Sequence, residues 1–272
     1  MIRFFSGCFG LLLLLGLNPA RADYSSGIHS RLAAGWSTSQ PTADDTLRVL
    51  FVGNSYTYFW NLPQTVEAMA AEAGFPLIAR QSTAGGANWQ EHWDGEKNLV
   101  SRSRITEGSW DIVILQNHSL STLRRAEAFT EYGNKFINLV RENGAEPLLY
   151  LTWAREFNPL MQDQVTSGYQ ALGKSADVPV VAVGEVWEKV RNLRPDLKLY
   201  DPDGSHPSST GTYLIACVFY RALTGNAASD LPKRITTTDR NGEKLYLHIL
   251  SEGDARFLQQ AADKMVKEVD YE

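Results

Sequence analysis

Five apolar runs punctuate the chain, and most are followed by a segment whose apolar residues recur at helical spacing. The first, residues 47–52, is almost continuously apolar, as a strand covered on both faces must be. It stops at Gly53-Asn54-Ser55. Asn61-Leu62-Pro63 then opens a helix whose buried face is drawn by Val66, Met69, Ala70 and Ala73 and which Gly74 ends. Residues 75–81 form the second expected strand, closing on Gly85-Gly86, where paired glycines let a backbone approach another group closely. A polar region, 91–109, separates it from the third strand, 111–115, which ends on Gln116-Asn117-His118-Ser119.

Phe129, Tyr132, Phe136, Leu139 and Val140 mark a long helix with Gly144 as its stop. The fourth strand, 147–151, runs into Thr152-Trp153-Ala154-Arg155. A helix over about 160–174, a fifth strand at 178–183 and a helix over about 185–193 complete the series. This alternation predicts an α/β domain with a parallel sheet, helices on both faces and right-handed crossovers. The loop Asp201-Pro202-Asp203-Gly204-Ser205-His206-Pro207 follows, then a segment, 210–223, apolar nearly all round and therefore expected to be buried against the sheet. Past Gly225, two β-prone arms around Asn241-Gly242 predict a hairpin. Ser251 and Asp254 resemble a capping box opening a final amphipathic helix along Phe257, Leu258, Ala261, Ala262, Met265 and Val266. No internal repeat is visible.

The N-terminal apolar stretch has another character. Arg3 precedes it, it covers residues 4–17 with interruptions at Gly7, Cys8, Gly10 and Gly16, and Ala20-Arg21-Ala22 follows. That is the pattern of a cleaved signal peptide. A membrane anchor needs about 20 apolar residues, and a lipoprotein signal needs its cysteine at the end of the stretch, where Cys8 does not lie. The expected organisation is a signal peptide at 1–22, a Ser/Thr/Gly/Ala-rich linker at 23–46, and one domain at 47–272 whose last part, 225–272, is the hairpin and helix. The implied location is outside the cytoplasm, periplasmic or secreted, with no stable membrane insertion after cleavage.

Composition narrows the reading further. The chain of 272 residues, 43% hydrophobic and 21% charged, suits one larger α/β domain. Its net charge of −5 argues against nucleic acid or an anionic membrane surface as the main partner. Loss of the leader would remove Arg3, Arg21 and Cys8 and no acidic residue, leaving a more acidic chain with Cys217 as its one cysteine. No intramolecular disulfide is then possible, so stability must come from the core.

Candidate chemistry sits at the strand ends. Serine hydrolysis needs a nucleophilic oxygen, a histidine to take its proton, a carboxylate to orient that histidine, and donors for the oxyanion. Ser55 supplies the first, His206 the second and Asp203 the third; the N–H of Gly86 and the side-chain amide of Asn117 are candidate donors. Tyr56, Trp89 and Trp153, among a wider set with Tyr58, Phe59, Trp60 and Trp93, are candidate walls of an acyl- or sugar-binding cleft, with core packing as the competing role. His92 and His118 show no metal-ligand spacing, and no metal or cofactor is expected.

Gly53-Asn54-Ser55, Gly86, Asn117 and Asp203-x-x-His206-Pro207 together resemble the blocks of the SGNH (GDSL-type) hydrolase superfamily, over about residues 47–225. The resemblance implies a flavodoxin-like three-layer α/β/α sandwich with a five-stranded parallel sheet. It also implies a triad of Ser55, Asp203 and His206, with an oxyanion hole built from the N–H groups of Ser55 and Gly86 and from Asn117. Two departures stand out: Asn54 replaces the usual aspartate, and the third block reads Leu115-Gln116-Asn117-His118, so Gln116 or His118 competes for the place of Asn117, as Gly85 does for Gly86. The implied activity is esterase chemistry on a small ester or an acylated carbohydrate. A lipase or lysophospholipase, or a catalytically silent carbohydrate-binding protein on the same fold, are the alternatives.

Overall fold

The computed structural model describes residues 46–269, with side chains through 264. The expected signal peptide and all of the expected linker except Thr46 lie outside the described residues. Five strands, β1 (Leu47–Gly53), β2 (Leu77–Thr83), β3 (Ile112–Leu115), β4 (Glu146–Tyr150) and β5 (Val180–Val181), form one parallel sheet in the order β2-β1-β3-β4-β5. This is the doubly wound flavodoxin-like order, in which the chain reverses direction across the sheet between β1 and β3. The carboxyl ends of those two strands, where Ser55 and Asn117 follow, therefore flank the crevice in which such sheets place ligands.

The strand residues divide by alternation. Val49, Phe51, Ile112, Ile114, Leu148 and Tyr150 face one core, and Leu50, Val52, Val113, Leu115 and Leu149 the other. The helices are α1 (Ser55–Tyr58), α2 (Leu62–Glu72), α3 (Trp89–Asp94), α4 (Ser101–Glu107), α5 (Ser121–Arg124), α6 (Ala126–Glu142), α7 (Gln162–Ala176), α8 (Val183–Leu193), α9 (Ser209–Thr224) and α10 (Glu252–Val269). The first core is covered by α2, α8, α9 and α10, the second by α3, α4, α6 and α7. The helix α9 is buried along nearly its whole length, as its apolar composition requires.

The sequence pattern departs from the structure in three places. The polar region after β2 contains α3 and α4; α3 is opened by Asn88 and Glu91, which cap it reciprocally. The fifth strand is cut to two residues because α8 already begins at Val183. The hairpin β6 (Arg234–Thr238) and β7 (Lys244–Ile249) is present, but its turn places only Gly242 at positive φ, and Asp239 caps the loop by accepting from the N–H groups of Asn241 and Glu243.

The hairpin is fastened through His248, which is 1% exposed. One ring nitrogen lies 3.0 Å from Thr65 Oγ1 on α2 and the other 3.0 Å from Ser209 Oγ on α9. Burial pulls the His248 pKa down from 6.5 to about 4, against the opposing hydrogen bond with Ser209. Because the unfolded chain then binds the proton more readily, this site supports the fold fully above pH 6.5 and loses that support as pH falls toward 4. The expected loss is on the order of 3 kcal/mol at the acid end. Urea unfolding between pH 7 and 4.5 should show stability falling with acidification, and His248→Gln should flatten the slope by about one proton; an unchanged slope would contradict this account.

Candidate active site

Ser55 is positioned by a tight turn at the end of β1. Asn54 caps α1, its Oδ1 accepting from Tyr56 N at 3.0 Å while its Nδ2 donates to Ala87 O at 2.9 Å. Asn54 N donates to Gln116 Oε1 at 2.8 Å, and Thr57 Oγ1 donates to the same oxygen at 3.0 Å. Gln116 is fully buried and its Nε2 is bonded to Asn117 O, so this side chain ties β3 to the Ser55 turn. A Cβ on Gly53 would collide with both Gln116 Oε1 and Thr57 Oγ1, which is why glycine stands there. The Gly53 carbonyl accepts from His92 Nε2 at 2.9 Å, and His92 Nδ1 lies 2.6 Å from Ser101 Oγ, itself 2.8 Å from Ser82 Oγ. Burial, outweighing the bond to Gly53, lowers the His92 pKa to about 4, so the ring is neutral near pH 7. Since a carbonyl can only accept, its proton sits on Nε2.

His206 comes from the loop between α8 and α9. Tyr200 and Pro207 form a β-bridge across its base, and Asp201 N donates to His206 O at 2.9 Å. Two bonds tie its tip to the end of β4, from Glu156 N to Gly204 O at 2.8 Å and from Trp153 Nε1 to Ser205 O at 3.1 Å. His206 Nε2 lies 2.8 Å from Ser55 Oγ, and its Nδ1 is hydrogen-bonded to Asp203 Oδ2. Asp203 Oδ1 accepts from the N–H groups of Ser205 and His206, each at 2.9 Å. Partial burial pushes the Asp203 carboxyl up, but the bonds from the His206 ring and these two amides outweigh it and hold the pKa below the usual carboxylate range. Phe59 stacks on the His206 ring at 4.2 Å, and Tyr56 meets it edge-on at 5.7 Å. Three residues read from two distant sequence motifs thus meet in one hydrogen-bonded line.

A cavity of about 160 Å³ opens beside Ser55 and His206, bordered also by Gly86, His118, Ser119 and Arg155. Gly86 occupies the left-handed position (φ 62°) of the Ala84–Ala87 turn, closed by Ala87 N donating to Ala84 O at 3.1 Å. It borders the cavity and Gly85 does not. Gln116 is sealed in the β1 turn. Asn117 is not on the cavity wall: it is buried, and its Oδ1 accepts from Trp89 N (3.0 Å), His118 N (2.8 Å) and Ser121 Oγ (3.2 Å). With that oxygen saturated, Nδ2 is the end of the amide left for a ligand.

Of the aromatic residues expected on a cleft wall, Tyr56 alone borders this cavity. Trp89 and Trp153 are fully buried and cannot contact a substrate as the structure stands. Trp89 stacks on Phe129 in the second core. Trp153 is sandwiched between Tyr56 (4.6 Å) and Trp187 (4.3 Å). Core packing claimed both rings because strand ends are as suited to burying an indole as to exposing one. The residues missed as cavity-lining groups are Ser119 and Arg155, each a few residues past a strand's carboxyl end, which was the available signal, and Asn54 and Ser205, the immediate neighbours of Ser55 and His206 in their motifs. Among the described residues no cluster of three His, Cys, Asp or Glu side chains could hold a metal ion.

Compared by sequence, the chain matches no protein-family model and no curated protein. Compared by structure, it is similar to a DUF4886 family protein from Bacteroides uniformis, with TM-score 0.65 and 17% identity over 83% of this chain and 96% of that one. A candidate SGNH hydrolase from Slackia heliotrinireducens aligns with TM-score 0.56 and 21% identity, covering 66% and 100%. An acetyl xylan esterase aligns with TM-score 0.54 and 14% identity, covering 65% and 100%. The chain has an SGNH-type hydrolase fold.

Since Gly53 and Gln116 meet in one contact, Gly53→Ala should cost about 1–3 kcal/mol by overpacking. Combining it with Gln116→Ala should cost less than the sum of the two single changes, because the first clash loses its partner. Denaturant titration of the four proteins measures this; simple additivity would show that the contact does not set the turn.

Proposed function

We propose that this SGNH-type fold carries a serine esterase that acts through an acyl-Ser55 intermediate. The observation that carries the reading is the 2.8 Å approach of His206 Nε2 to Ser55 Oγ, with Asp203 on the opposite ring nitrogen. Asp203 keeps the proton on Nδ1, so Nε2 is free to accept the Ser55 proton as Oγ attacks the acyl carbon. The tetrahedral oxyanion is met by the N–H of Ser55, which at the first position of α1 has no helical acceptor, by Gly86 N–H and, once its amide turns from behind the cavity wall to reach it, by Asn117 Nδ2. His206 then returns its proton to the departing alcohol. In the second half a water gives a proton to Nε2 as its oxygen attacks the acyl carbon; Nε2 then returns that proton to Ser55 Oγ as the acyl–Oγ bond breaks, and the carboxylic acid leaves.

The substrate side of the proposal is a short acyl group on a carbohydrate or other small alcohol. The cavity directly beside Ser55 and His206 holds only about 160 Å³, which favours an acetyl-sized acyl group at the serine over a long chain. The likeness to an acetyl xylan esterase is consistent with that choice. Export completes the reading, on the strength of the N-terminal pattern ending in Ala20-Arg21-Ala22.

A fluorophosphonate probe should label the wild type and not Ser55→Ala. On p-nitrophenyl esters of rising chain length, kcat/KM should peak at the shortest. Ser55→Ala and His206→Ala should each lower kcat by about 10⁴–10⁶, with the double variant little worse. Asn117→Ala should cost about 10²–10³ with KM nearly unchanged. Full activity in Ser55→Ala would remove the mechanism, whereas full activity in Asn117→Ala alongside a large loss in His118→Ala would move the third donor to His118. Mass spectrometry of protein recovered outside the cytoplasm should find a terminus near Asp23; an intact Met1 would refute cleavage.

A further inference from the structure

The wall of the Ser55 cavity carries a guanidinium with no anion to match it. Arg155 borders the cavity, and its Nε is buried without a hydrogen-bond partner. Among the described residues no carboxylate forms an ion pair with it. A second cavity, of about 230 Å³, shares Gly86 and His118 with the first and is bordered by Arg124 and Arg125. The two form one cleft with His118 at the junction.

The acidic groups of this cleft are already engaged. Glu91 pairs with Lys97 at 2.9 Å and accepts from Asn88 N at 2.8 Å, and Asp203 is bonded to His206. The cleft is therefore cationic on a chain whose net charge is −5. An uncompensated, partly desolvated guanidinium is costly to keep and presents a planar fork that matches a carboxylate. Its influence reaches the neighbouring groups: burial first, and then Arg155, lowers the pKa of His118, which disfavours a cationic ring there.

We propose that the ester bound here carries a carboxylate close to its scissile bond and that Arg155 binds it, the substrate class being acylated acids such as O-acylated acidic sugars. Arg155 is a specificity-determining residue in this assignment, which rests on the esterase reading. The bound carboxylate satisfies the fork and neutralises the charge that the cleft leaves open. Arg124 and Arg125 extend the same preference along the second cavity, where further acidic units of a longer substrate would lie.

The test compares 4-acetoxybenzoate with the neutral 4-acetoxybenzamide, and mono-p-nitrophenyl succinate with p-nitrophenyl butyrate, so that the carboxylate sits on the alcohol side in one pair and on the acyl side in the other. For at least one pair, Arg155→Gln should lower the anionic-to-neutral ratio of kcat/KM by about 10- to 100-fold, the effect of losing one charge-assisted pair. The loss should appear in KM of the anionic ester and be partly restored in Arg155→Lys. Ratios unchanged in both pairs, or a loss equal for neutral and anionic esters, would overturn the proposal. If the wild type turns over no ester and takes no fluorophosphonate label, the esterase reading has failed by itself. Anion recognition is then decided by calorimetry with 4-acetamidobenzoate against 4-acetamidobenzamide. Binding of the anion weakened at least 10-fold in Arg155→Gln supports the site, and equal binding of anion and amide, or no effect of the substitution, overturns it.

Discussion

One buried oxygen, Oε1 of Gln116, holds the Ser55 turn. It accepts from Asn54 N and Thr57 Oγ1 and lies so close to Gly53 that no side chain fits there. In a water-free interior a donor left unpaired costs about 1–3 kcal/mol, so two donors converging on one acceptor leave the turn few alternatives. The chain Ser82, Ser101 and His92 reaches the same turn from the other side and ends on the Gly53 carbonyl. Strands β1, β2 and β3 thus each contribute polar side chains or backbone to the position of a single serine. The rigidity is bought with buried polar atoms that are all satisfied by one another, the arrangement in which such networks specify a unique geometry.

The histidine is held by different means. Its loop closes on itself through the Tyr200–Pro207 bridge, Asp203 fixes one ring nitrogen, and Phe59 and Tyr56 pack against the ring. Tyr56 belongs to the serine's helix, stacks on Trp153 at the end of β4, and places its hydroxyl 2.6 Å from Ser205 Oγ on the histidine's loop. Burial, partly offset by the bond to Ser205, raises its pKa, so the phenol keeps its proton and the link does not titrate near neutrality. Immediately after Phe59, Trp60 and Asn61 adopt left-handed backbone (φ 49° and 55°), a cost of roughly 1–2 kcal/mol each for residues with a Cβ. That cost is absorbed where the chain must turn to lay Phe59 against the imidazole.

Most of this fold was legible in the pattern of apolar positions, because a strand buried on both faces can hardly be anything but apolar and each one ended on a small or polar residue. The register and the length of β5 were not, since Val178, Pro179 and Val183 read as strand residues until α8 takes over at Val183. Ser55, Asp203 and His206 stood out because chemistry constrains residue type there, and the structure brings them together. The aromatic residues were the opposite case: an indole is as useful in a core as on a cleft, and neither spacing nor position told Trp89 and Trp153 apart from a binding surface. Gln116 was visible only as a rival for Asn117, as nothing in its neighbours announces that its oxygen serves a turn 62 residues earlier in the chain.

The line from Asp203 through His206 to Ser55 joins positions 151 residues apart in the chain. Loop-closure entropy must be met before so distant a contact is rewarded, and contacts of that kind are slow to form. Both segments also depend on partners laid down between them: Ser55 on Gln116 of β3, and His206 on Trp153 beyond β4. A chain with only its first three strands docked would hold the serine in place and still lack its histidine partner. The Asp203–His206–Ser55 line can therefore close only when β4 and the loop before α9 are in place, so it depends on nearly the whole sheet.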